Sequence, residues 1–175
     1  GTMECWIGGG TDTPPAERDA AHSDFWRVSP SGLAYLLRGY QEDDMANRPT
    51  RPYPPASVFD LVIPVWRVGE ALLQAKALAD HLFEGPTTIR FQVRYEGLAG
   101  RQLVSVDGRR ILFDGRATRQ DTITLETQVE IQAIGSNLPE VVHPLLAPLY
   151  ALFDFFELPA SLVTEELARM RGGAS

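Results

Sequence analysis

Apolar and polar residues alternate over Thr122–Ile134. Ile123, Leu125, Val129, Ile131 and Ala133 take the odd positions, with Thr127 among them, and Thr122, Thr124, Glu126, Gln128, Glu130 and Gln132 the even ones. A period of two predicts a strand with one buried face and one wet face. The same period recurs at 89–95, where Ile89, Phe91, Val93 and Tyr95 alternate with Arg90, Gln92 and Arg94. Residues 26–28 and 33–40 predict two more strands. Ser29-Pro30-Ser31-Gly32 turns between them and sets Trp26 and Val28 against the run Leu33–Leu37. Asp107-Gly108 predicts a hairpin joining 101–106 to 109–113. The apolar run 58–66 predicts a strand, placed at an edge or ended early by Pro64.

Helical spacing appears at 68–83, where Val68, Leu72, Ala75, Ala79 and Leu82 recur, Glu70 suits the first turn and Gly85-Pro86 is the stop. Asn137 and Glu140 read as a cap for a helix over 138–155, which Pro144 and Pro148 should kink or break. A last helix is expected over 160–171. Residues 1–25, with Gly8-Gly9-Gly10 and Pro14-Pro15, read as an arm or the end of a preceding domain; residues 26–175 read as one domain. Residues 41–57, acidic and then proline-rich, read as a loop. The expected fold is α+β: a mainly antiparallel sheet of about six to seven strands, covered by one central helix and the C-terminal helices.

Composition narrows the function classes. At 175 residues the chain can bury a core without a metal or disulfide, and Cys5 is its only cysteine. No long apolar run predicts a membrane span, no charged segment leads into an apolar signal region, and the lone cysteine fits a reducing compartment. The net charge of −7 argues against general nucleic-acid binding. It is unevenly spread. Residues 86–121 carry seven arginines against four acids, and residues 122–175 two arginines against seven acids. The two stretches can neutralise each other across a sheet, or the arginine-rich one can contact nucleic acid.

No local motif specifies a reaction. His22, His81 and His143 lack metal-site spacing, and no cofactor is expected. No Gly-x-Ser-x-Gly elbow occurs, and Ser105 and Ser136 look structural. Glu42-Asp43-Asp44 read as a solvated acidic stretch rather than a cation site, and Gly8-Gly9-Gly10 lack the rest of a phosphate loop. The residues chosen as a ligand-binding set are Trp66, Arg67, Arg90, Arg94, Tyr95, Glu126 and Glu130. Arg90 and Arg94 share one strand face, as Glu126 and Glu130 share another. The two sets form either cross-strand ion pairs or the polar floor of a groove lined by Trp66, Tyr95 and the last helices. Arg67 either pairs with Glu70 or holds an anion near a helix start. An enzyme whose site forms only in three dimensions, with His81 or His143 beside a carboxylate, is a further alternative.

Two groups of residues carry a resemblance. Residues 10–20, Gly-Thr-Asp-Thr-Pro-Pro-Ala-Glu-Arg-Asp-Ala, resemble the closing segment of AlbA/Schlafen-type DNA-binding domains, although the arginine usual before the glycine is missing. Residues 26–44, 65–73 and 149–158 resemble the C-terminal region that follows this domain in some bacterial transcriptional regulators. The resemblance implies a non-enzymatic sensing or interaction module of a cytoplasmic bacterial regulator. It implies a small-molecule ligand or a partner protein domain, is compatible with a homo-oligomer, and supplies no ligand identity.

Overall fold

The computed structural model of the chain describes residues 1–7, 24–43, 53–112 and 115–172. Among these residues the fold is α+β, with seven strands and four α-helices. The chain divides into two compact units, Gly1–Val58 and Phe59–Ser175. The strands make three separate sheets rather than the one sheet expected.

The first unit holds a three-stranded sheet, β1 (Met3–Ile7), β2 (Asp24–Val28) and β3 (Ala34–Arg38), in that order. The predicted hairpin is present, with Trp26 opposite Leu36 and Val28 opposite Ala34. Its turn closes through the Ser29 N–H donating to Leu33 O at 2.9 Å and the Gly32 N–H donating to Ser29 O at 3.0 Å. Gly32 sits at φ 84°, a region that glycine enters without a Cβ clash. Residues 3–7 are not an arm. They pair with β2, Met3 opposite Val28 and Cys5 opposite Trp26. The remainder of the expected arm, 8–23, lies outside the described residues. So does 44–52 of the expected loop; Gln41–Asp43 form a short 3₁₀ turn in which Glu42 is buried, contrary to the solvated reading.

The second unit is entered through β4 (Val58–Asp60) and built round α1 (Ile63–Leu82). The strand expected over 58–66 stops at Asp60, because the Asp60 side chain caps a helix that starts five residues earlier than its apolar spacing suggested. Asp60 Oδ1 accepts the N–H groups of Val62 at 2.7 Å and Ile63 at 2.8 Å. Pro64 then falls in the first turn, where its missing N–H costs nothing. Glu70 is therefore beyond the first turn. Val65, Val68, Leu72 and Ala79 form the buried stripe of α1. Gly69 lets α4 (Ala160–Gly172) approach closely, since a Cβ there would overlap the Leu167 side chain.

β5 (Thr88–Tyr95) pairs with β7 (Ile123–Glu130) along eight residues each. Ile89 faces Val129, Phe91 faces Thr127, Val93 faces Leu125 and Tyr95 faces Ile123. This is the inner face, and α1 and α3 (Leu138–Ala151) cover it. The alternation ends at Glu130, earlier than expected, and Ile131–Ser136 form the short helix α2. Ile131 and Ile134 are both buried. Three apart, they fit a helical face that a strand could not offer.

The Asp107-Gly108 hairpin is not formed. β6 (Gln102–Val104) pairs with β4, and Leu103 N–H donates to Arg116 O at 2.9 Å. Residues 109–112 carry no strand. The Asp107 side chain completes the turn itself, accepting from Arg109 N–H at 3.0 Å and Ser105 Oγ at 2.8 Å.

α3 runs through Pro144 and Pro148 without a break and ends at Ala151 rather than 155. Glu140, Pro144 and Pro148 are exposed. The carbonyls of Glu140 and Pro144, which the two prolines leave without an N–H donor, thus lie on the exposed side of the helix, open to solvent. Asn137 precedes α3 but makes no side-chain capping bond. The core of this unit closes with Phe59 stacked on Phe153 at 5.1 Å and Tyr150 Oη donating to Leu61 O at 2.6 Å.

Candidate functional site

Charge or exposed apolar surface gathers in three places: the wet face of the β5–β7 pair, the buried charged groups of the second unit, and the open face of the first unit's sheet.

On the wet face, Arg90 forks onto Glu126, Nε to Oε1 at 2.9 Å and Nη2 to Oε2 at 2.7 Å. Gln92 Nε2 adds a bond to the same carboxylate at 3.3 Å. The Arg90 hydrogen bonds hold the Glu126 carboxyl below its ordinary range, and Glu126 raises the arginine in turn. Arg94 pairs with Glu96 at 2.8 Å rather than with Glu126 or Glu130. Glu130 is exposed at the far end, opposite Thr88. Tyr95 lies on the other face, edge-on to Phe59 at 5.9 Å. The sequence-chosen set is therefore split by the strand's own period. Arg90, Arg94, Glu126 and Glu130 look to solvent, and Tyr95 looks inward. They line no common groove. Arg67 pairs with Glu70 at 3.2 Å on α1, and Trp66 Nε1 is buried without a hydrogen-bond partner.

The arginines of 86–121 are largely engaged within the chain. Arg101 is buried and donates to Gly97 O at 2.8 Å. Arg109 faces Asp107, and Arg110 meets Glu165 at 2.7 Å and Glu166 at 3.5 Å. Arg116 lies over the Phe156 ring at 5.2 Å. A surface committed in this way has few free cations to offer a phosphate backbone.

The charged network was not anticipated. Glu166 is 1% exposed on α4 and accepts from Arg169 Nη1 through both oxygens at 2.8 Å. Asp60 is also buried, and its Oδ2 takes the Val106 N–H at 2.9 Å. Burial pushes the Asp60 carboxyl above its ordinary range against the pull of three backbone N–H groups. With both oxygens committed to the backbone, Asp60 ties β4, the start of α1 and the 105–107 turn together. Its signal in the sequence was a lone acid inside an apolar run. That of Glu166 was its position between Leu162, Val163 and Leu167 at helical spacing.

His143 Nε2 lies 2.8 Å from Leu158 O, and His81 is exposed. Among the described residues no group of three His, Cys, Asp or Glu side chains is placed to hold a metal ion. Asp43 Oδ1 accepts the Ala56 N–H at 2.9 Å; Asp44 and Gly8-Gly9-Gly10 lie outside the described residues. No helix among the described residues is long and apolar enough to cross a membrane.

The first unit's sheet presents an open groove of about 450 Å³ lined by Phe25, Arg27, Leu33, Ala34 and Tyr35, with Thr2 and Ser29 at its rim. Leu33 is 72% exposed, and Tyr35 and Leu37 are each 52% exposed. Phe25 meets Tyr35 edge-on at 6.3 Å. Glu4 and Arg27, partners across β1 and β2, lie 3.4 Å apart beside this surface, and both are more than half exposed. The mixture of exposed apolar side chains with a single ion pair suits a contact surface better than a reaction centre. Comparison with protein-family models, with curated proteins and with solved structures finds no match to this chain.

Proposed function

We propose that the chain is a non-enzymatic interaction module of a cytoplasmic bacterial transcriptional regulator of the AlbA/Schlafen type, and that it works through the open face of its N-terminal sheet. One observation carries the contact surface: Leu33, Tyr35 and Leu37 are exposed together where a sheet normally buries one apolar face. The regulator assignment rests on the sequence resemblance. Sensing of a small ligand in the same groove is the narrower form of this reading. The alternative, nucleic-acid contact through 86–121, draws less support, because Glu126 holds Arg90 and acids or carbonyls hold most of the other arginines.

A photo-crosslinking residue at position 35 tests the proposal, with one at the exposed position 128 as the control. In bacterial extract, position 35 should give a discrete covalent adduct and position 128 none. Equal labelling at both positions, or none at 35, would count against the reading.

A further inference from the structure

We draw no further inference here: the strongest candidate, the apolar open face of the first unit's sheet at Phe25, Leu33, Tyr35 and Leu37, is the contact surface already proposed, and nothing in the structure shows what covers it.

Discussion

Two antiparallel sheets in this chain use the same alternation to opposite ends. In the β5–β7 pair the apolar rows Ile89–Val129 and Val93–Leu125 lie under helices, and the outward rows are Arg90–Gln128 and Gln92–Glu126. In the β1–β2–β3 sheet the outward positions include Tyr35 and Leu37, and its ion pair sits among apolar side chains. A wet face tiled with paired charges is finished: it asks for nothing further from solvent or partner. An open face of leucine and aromatic residues is unfinished, because water covers it at a cost of about 25 cal/mol per Å². That difference is what the proposed reading rests on, without any motif. On the proposed reading the charged strand is scaffold and the hairpin is the contact surface.

Substitutions can break this contrast in graded steps. The largest effect should come from the second unit's interior. Asp60→Ala leaves three backbone N–H groups without their acceptor and should cost about 3 kcal/mol or more, read as a shifted urea midpoint. Gly69→Ala forces the Leu167 side chain aside and should cost about 1–3 kcal/mol in the same titration. Asp60 also gives a pH signature. Its folded pKa is raised by burial, so the folded state holds the proton more tightly than the unfolded chain. Its contribution should therefore improve as the pH falls through the folded pKa towards 3.8, and weaken as the pH rises. Wild type compared with Asp60→Asn across that window should show the trend; a gain on raising the pH would reverse the assignment. The smallest effect belongs to the wet face. Arg90→Ala and Glu126→Ala, at an exposed pair, should leave the melting temperature unmoved and the position-35 adduct intact. If Glu126→Ala abolished that adduct, the roles given to the two sheets would be exchanged.

The sequence revealed strands better than it revealed what joins them. Strands 88–95 and 123–130 and the hairpin through Gly32 follow from a period of two and from turn chemistry, both local. The start of α1 does not. Val58–Trp66 is apolar throughout, so neither period dominates, and the deciding event is the Asp60 carboxylate taking the Val62 and Ile63 N–H groups. Asp107-Gly108 turns the chain as expected, yet Asp107 satisfies the turn by itself and β6 pairs with β4. Pairing between strands distant in sequence is not written in either strand. The chosen site residues do not gather in one place, for a simpler reason. Tyr95 and Arg94 are neighbours in sequence, and on a strand neighbours point apart. The open face of the first unit was legible only in part. Leu33, Tyr35 and Leu37 share a parity that the sequence shows, but their exposure depends on what the fold leaves uncovered.

Hydroxyl-radical footprinting of the whole chain, free and mixed with the protein captured at position 35, tests the central claim most directly. The account predicts that Leu33, Tyr35 and Leu37 lose reactivity together in the mixture, while Tyr95 in the second unit stays constant. Unchanged reactivity at those three positions, with protection appearing instead along Arg90–Arg94, would contradict it.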